Sequence, residues 1–437
     1  VTRAFASYDV ATCRARIAAR NDALNAVLTL LDEPEVRSRS GPLAGVPYLL
    51  KDTWDTAGIV TTGGSWRHRS RVPSTSSHAH RAFAEAGAVL LGKSNLCDMA
   101  FSSESDNHIR GPVRNPHDET RTAGGSTGGG AAGVADGMCA FDWGTDFGGS
   151  IRGPAAFCGV VGMRLSNAVW PVNEHHFPRI PAFFWDLCGM GPVARTVKGA
   201  REVVRAVRPA LRTNAPEVDM DLRRVVVYAP DRAHEAEWPT FVSDAVRLLR
   251  DRGIDFEIAS DLPTPTEAND VYTEYLSTHF REFIAGDELP MREGLPAVLI
   301  GLASGGRLDK RVHPNTGVLL AACAAIGLLA SERRRERARE ALAKLRSDIG
   351  RVFGRGRMIL SPTCTTRPPR HGRAAFAYRL MSFCKLGNLT DATGLAIPLG
   401  WYAPKRAPRM PRSLQILGPP GSEEAVFALG EKLFVAQ

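Results

Sequence analysis

The chain has 437 residues, 44% of them hydrophobic and 23% charged, the balance of a globular protein and not of a disordered or low-complexity one. Its net charge of +9 invites a polyanionic partner, but the arginines are scattered and no nucleic-acid-binding motif accompanies them, so the excess reads as a basic solvated surface. Eight cysteines stand far apart without a CxxC pair, which excludes a disulfide frame or a zinc knuckle and fits reduced thiols in a cytoplasmic protein.

Val1 to Arg20 carries arginines and no apolar segment, so no secretory signal is expected there. Asp9 is placed to cap an opening helix that turns Val10, Cys13 and Ile17 to one side. Val46 to Leu50 has the length and apolarity of a buried strand, and it delivers Lys51. A helix from His78 to Ala86 leads into a second buried strand over Ala88 to Leu91. Gly87 to Ser94 also satisfies the phosphate-loop pattern GxxxxGK[ST]. In such a loop the strand precedes the first glycine, whereas here the four intervening residues are themselves strand-like, so nucleotide binding is not expected.

Thr122 to Arg164 is crowded with glycine and contains two turns of one kind, Gly124-Gly125-Ser126 and Gly148-Gly149-Ser150. An interior glycine costs about 0.5–1 kcal/mol in a helix or strand, so folding alone does not account for the density. Glycines before a serine let the backbone turn sharply and aim successive N–H groups at one point. That arrangement suits an oxyanion hole beside a serine nucleophile, or a nest for a phosphate. Cys139 to Trp143, between the turns, is an apolar strand and not a linker. Ile151 to Phe157 opens a helix whose N-terminal field favours negative charge at Ser150.

Further along, Val197, Ala200, Val204 and Val207 share one helix face, Arg224 to Tyr228 reads as a strand, and Phe241 to Arg250 as a helix burying Ala245, Leu248 and Leu249. Gly317 to Ala330 is the longest apolar run. It falls short of the roughly 18–20 residues that span a bilayer, and is expected to be a core or lid helix. Ser331 to Phe353 is a charged helix with Leu342, Leu345, Ile349 and Val352 as its buried stripe. Ser422 is expected to cap a closing helix with Glu423 and Glu424 in its first turn. His175 and His176 lack partners at ligand spacing and no HExxH is present, so no metal is expected.

Residues 124–164 resemble the signature block of the amidase signature family, serine hydrolases of carboxylic amides whose pattern runs approximately GGSSGG, a spacer, then GTDxGGSIRxPAxxCGxxGxxP. Gly41 to Asp52 is similar to that family's GPLxGxPxxxKD, Gly87 to Ala100 to its GAVxxGKTNxxEFA, and Arg114 to Ser126 to its RNPxxxxRTPGGSS. Ala123 and Thr127 replace the usual proline and second serine, two changes expected to lie off the proton path. Gly191 to Val197, Met358 to Thr363, Asn388 to Pro398 and Ser413 to Pro420 resemble later motifs. Ser166 to Pro171 and Cys188 depart from the pattern. Asp261 to about Gly356 matches none of it, and is a variable, substrate-shaping region.

The resemblance implies an α/β protein, one large α/β/α domain over residues 1–437 with a central twisted mixed sheet flanked by helices. It implies Ser150 as nucleophile, Ser126 after a cis peptide bond as relay, and Lys51 as general base. The backbone N–H groups of Phe147, Gly148, Gly149 and Ser150 would include the oxyanion donors, and Gly125, Thr145, Asp146 and Arg152 would support the turn. The chemistry is coherent, because a lysine acts as base only when burial keeps it neutral and a serine needs a neighbour to take its proton. Phe101, Ser102, Trp143 and Phe147 are expected to line the acyl pocket, which favours a flat or apolar acyl group.

The reading is therefore an amidase that hydrolyses a small amide without cofactor, metal, nucleic acid or membrane, with a homodimer compatible with it. Three rivals are a glutaminase subunit of a tRNA-dependent amidotransferase, an acyltransferase that uses an amine instead of water, and a catalytically inactive binding protein.

Overall fold

In the computed structural model the opening helix α1 (Val10–Leu24) starts where the Asp9 carboxylate accepts the Thr12 amide at 2.8 Å, and it buries Cys13, Ile17 and Leu24. The structure describes residues 3–172, 182–218, 220, 224–229, 238–259, 262–280, 299–300, 303–364, 366–373, 381–402 and 408–434. His175 and His176 lie outside the described residues.

In chain order the strands are β1 (Val27–Glu35), β2 (Pro47–Lys51), β3 (Val89–Ser94), β4 (Arg114–Asn115), β5 (Asp118–Thr122), β6 (Phe141–Asp146), β7 (Val161–Arg164), β8 (Gly189–Ala194), β9 (Val225–Val227), β10 (Phe256–Ile258), β11 (Met358–Pro362), β12 (Thr393–Tyr402) and β13 (Met410–Gly418). β4 and β5 form a small ribbon. The others make one mixed sheet of eleven strands in the order β1-β3-β2-β6-β8-β7-β12-β13-β11-β9-β10. β2 runs parallel to both β3 and β6, with Leu50 opposite Trp143. The carboxyl ends of β2 and β6 therefore lie side by side. In open α/β sheets such ends are where ligands meet the protein.

The remaining helices are α2 (His78–Glu85), α3 (Gly128–Asp136), α4 (Arg152–Cys158), α5 (Val197–Leu211), α6 (Phe241–Asp251), α7 (Pro265–Thr278), α8 (Pro314–Leu329), α9 (Glu332–Phe353), α10 (Ser382–Leu389) and α11 (Glu423–Leu433). Side chains alternate across β2. Tyr48 and Leu50 join one core with α2, α5, α6 and α11, while Leu49 joins another with α1, α3 and α4. A third apolar cluster ties α7, α9 and α10 to β11 and β13. Two-sided coverage explains why β2 and β6 are buried at every position and read as continuous apolar runs.

Two local expectations change. The strand expected over Ala88 to Leu91 starts at Val89 and continues to Ser94, so the phosphate-loop look-alike is sheet. Lys93 is fully buried there, donating to the Trp54 carbonyl at 2.6 Å and to Thr61 Oγ1 at 3.0 Å. Ser422 precedes α11 but does not cap it, because its hydroxyl donates to the Pro419 carbonyl at 2.7 Å. Among the described residues no single helix is long and apolar enough to cross a membrane.

Candidate active site

β2 ends on Lys51 and β6 on Thr145 and Asp146. Lys51 is fully buried, and its amine lies 2.7 Å from Ser126 Oγ, 3.0 Å from Thr127 Oγ1 and 3.1 Å from Thr145 Oγ1. Burial lowers this amine from 10.5 to about 8, against the smaller opposing fields of Asp142 and Asp146 among others. About a tenth of Lys51 is thus neutral at pH 7 and about half at pH 8, and the lone pair then faces three hydroxyls. Thr127, expected to lie off the proton path, is one of those three. The serine-to-threonine change keeps an oxygen at this position, so the sequence difference conceals a retained contact.

The Gly125–Ser126 peptide is cis. A Cβ at Gly125 would come within 2.6 Å of the Ser102 carbonyl and 2.7 Å of the Glu104 amide, so no larger residue fits. The Thr127 amide donates to the Ser150 carbonyl at 3.0 Å, which sets the two glycine-rich turns against each other. Ser150 itself is half-buried. Its hydroxyl makes no hydrogen bond to a described residue.

Asp146 organises the second turn. One oxygen accepts the Gly149 amide at 2.8 Å and the other accepts the amides of Ile151 and Arg152 at 3.2 and 3.3 Å. The Arg152 guanidinium closes on both oxygens at 2.9 and 3.0 Å. It also reaches Asn388 Oδ1 at 2.8 Å and Gln415 Oε1 at 3.0 Å, while Asn388 Nδ2 donates back to Asp146. Burial alone would raise the Asp146 carboxyl, but Arg152 holds it far below the ordinary carboxylate range.

This arrangement corrects two expectations. The Gly149 N–H is committed to Asp146 and is not turned to an oxyanion, whereas the amides of Gly148 and Ser150 bond to no described residue. The first amides of α4 also meet Asp146, so the helix end is neutralised locally instead of facing Ser150.

Ser150 opens onto a cavity of about 260 Å³ whose wall includes Phe101, Ser102, Gly125, Phe147 and Gly148, with Tyr272 and Leu276 of α7 and Leu319, Cys323 and Ile326 of α8. Phe101, Ser102 and Phe147 stand where they were expected. Trp143 does not. It shares the strand face of Phe141, is fully buried, and packs edge-on against Phe83 of α2 at 5.1 Å. Strand alternation thus takes the ring into the core, although the residue stands near Ser150 in sequence.

The cavity also contains an ionisable group that the sequence reading missed, Lys385 of α10. A lysine within the otherwise uncharged stretch Met381 to Leu389 was the available signal. Asn388 and Gln415 were visible only as parts of motifs, with no role attached.

The amidase family model matches residues 9–427. The chain belongs to the amidase signature family. As a member it is similar over its full length to curated relatives named as one subunit of glutamyl-tRNA(Gln) amidotransferase. The relative of that name from Carboxydothermus hydrogenoformans is 30% identical over 426 residues, covering 90% of this chain and 84% of the relative. That from a Roseiflexus species is 29% identical, covering 95% and 90%. Among solved structures, 6-aminohexanoate cyclic dimer hydrolase superposes with a TM-score of 0.73 at 21% identity, covering 97% of this chain and 92% of the other. Peptide amidase from Stenotrophomonas maltophilia superposes with a TM-score of 0.72 at 22% identity, covering 97% and 92%. At these identities the structural likeness establishes the α/β fold of this amidase-family chain.

Proposed function

We propose that the chain hydrolyses the C–N bond of small carboxylic amides with a largely apolar acyl group, through an acyl-enzyme on Ser150. The observation that carries this reading is one cavity in which the Ser150 hydroxyl meets aromatic and aliphatic walls, beside a buried Lys51 hydrogen-bonded to Ser126. Ser150 Oγ bonds to the amide carbon, and its proton passes through Ser126 to neutral Lys51. The resulting oxyanion lies against the amides of Gly148 and Ser150. Collapse breaks the C–N bond, and the leaving amine takes the proton back from Lys51 through Ser126. Water then attacks the ester by the same relay, releasing the acid and restoring Ser150. Thr127 and Thr145 hold the lysine in line, and Asp146 with Arg152 holds the turn.

A glutaminase subunit is the second reading, and the names of the full-length relatives favour it. The cavity favours the first. Free glutamine brings an ammonium as well as a carboxylate, and among the described residues no acidic side chain lines the wall to receive the ammonium.

The deciding experiment uses the protein purified alone. Labelling with a fluorophosphonate should mark the protein and be lost in Ser150→Ala. In competition, benzamide or hexanamide should be hydrolysed in preference to glutamine. If glutamine wins, or activity appears only when partner subunits are added, the second reading replaces the first. Product analysis with added amines tests acyl transfer.

A further inference from the structure

We propose that Lys385 selects the far end of the acyl group, so that the preferred substrate is an amide whose apolar acyl chain ends in a carboxylate seated against the Lys385 amine. The inference rests on Ser150 being the nucleophile of the same cavity, and narrows the substrate class to monoamides of dicarboxylic acids.

Lys385 projects from α10 and is 3% exposed. Its amine lies 2.6 Å from Asn269 Oδ1 and 5.3 Å from the centre of the Tyr272 ring. Both partners belong to α7, and the Tyr272 hydroxyl is itself tied to the Phe147 carbonyl at 3.1 Å. The amine is thus held in one place on the cavity wall before any ligand arrives, so little side-chain freedom is lost on binding. Among the described residues it is the one amine or guanidinium on a wall otherwise made of hydrocarbon, aromatic rings, hydroxyls, a thiol and backbone.

A volume of about 260 Å³ gives room for an acyl group of roughly eight heavy atoms, at the ~30 Å³ that a water occupies in the liquid. Such a chain is long enough to place one end at Ser150 and the other on a different part of the wall. Burial lowers the Lys385 amine well below its ordinary range, with Asp270 of α7 and Cys384 opposing. An ammonium in this setting gains most from a ligand that brings its own negative charge into the dry cavity. A purely apolar acyl group would instead strip water from the amine and return nothing. A free amino acid amide would place a second cation near the first.

A structural role is the competing account, since the contact with Asn269 also joins α10 to α7. The two differ in what a substitution does to selectivity. Three p-nitroanilides of equal chain length serve as probes, carrying hexanoyl, 5-carboxypentanoyl and 5-(methoxycarbonyl)pentanoyl groups. In the wild type kcat/KM for the carboxylated anilide should exceed that for the hexanoyl anilide at least tenfold, with the methyl ester close to the hexanoyl compound. Lys385→Met should lower that ratio at least tenfold. Lys385→Gln, which keeps a hydrogen bond toward Asn269, should lower it similarly and serves if the methionine variant does not fold.

An equal loss for all three anilides, an unchanged ratio, or a wild-type preference for hexanoyl overturns the proposal. If no anilide is turned over, the hydrolytic reading itself fails. Lys385 is then judged by calorimetry on Ser150→Ala, where the carboxylated anilide should bind at least tenfold more tightly than the hexanoyl one and lose that advantage with Lys385→Met. Equal binding, or none, overturns it.

Discussion

Replacing Lys51 by methionine should remove activity and yet stabilise the protein more at neutral pH than at alkaline pH. Methionine nearly matches the length of the lysine stem and carries no charge, so the substitution mainly deletes a buried amine. That amine titrates at about 8 in the fold against 10.5 when free, a difference worth about 3 kcal/mol at 1.36 kcal/mol per unit. The sign follows from linkage. A folded pKa below the unfolded one means that the native state holds the proton less well, so the penalty is fully present below pH 8. It fades as pH rises from 8 through 10.5. Between pH 7 and pH 10 the stability difference between variant and wild type should therefore shrink by about 2–3 kcal/mol. Lost hydrogen bonds to Ser126, Thr127 and Thr145 subtract a term that varies little with pH, so the slope is the cleaner measurement. Urea unfolding followed by far-ultraviolet dichroism at half-unit pH intervals gives it. A difference that stays flat over this range would show that Lys51 is not held neutral by burial, and would remove the basis for treating it as the base.

Three further outcomes follow from the geometry. In the wild type kcat/KM should rise through pH 8 to an alkaline plateau, with the value at pH 7 about one tenth of the plateau; Lys51→Arg should not restore it, and a flat profile would assign the base elsewhere. Trp143→Ala should cost about 3–5 kcal/mol by the usual penalty for emptying an aromatic site while leaving the ratio of aromatic to aliphatic amide turnover unchanged; a large shift in that ratio would put the ring back in the pocket. Asn388→Leu removes a shared partner of Asp146 and Arg152; kcat should fall at least tenfold with KM little changed, and a KM effect alone would mean that the clamp does not shape the turn.

How much of this was readable beforehand depended on whether the signal was local. α1, α2, α5, α6 and α9 declare themselves by caps and apolar periodicity, and each falls within a residue or two of its expected bounds. The strand carrying Lys51 and the block holding Ser126 and Ser150 are dense enough in motif to be placed from the sequence. What the sequence hid is what tertiary structure decides. The face taken by Trp143 follows from the register of β6. The capture of the Gly149, Ile151 and Arg152 amides depends on where Asp146 points after the turn. Lys385 enters the cavity only because α10 packs against α7, a contact between segments more than a hundred residues apart. Thr127 was discounted because a side chain was compared by name and not by the oxygen it keeps.

The clamp on Asp146 has a consequence for the order in which the protein becomes itself. Arg152 reaches partners 236 and 263 positions further along the chain. During synthesis from the amino terminus, Lys51, Ser126 and Ser150 all leave the ribosome while Asn388 and Gln415 are still unmade. Contacts that span so much sequence form late, after the loop between them has been closed. A nascent or truncated chain can therefore hold all three hydroxyl and amine groups and still lack the enclosure that fixes the serine's turn. Competence arrives with the last strands, and a cut between residues 152 and 388 threatens it from a distance.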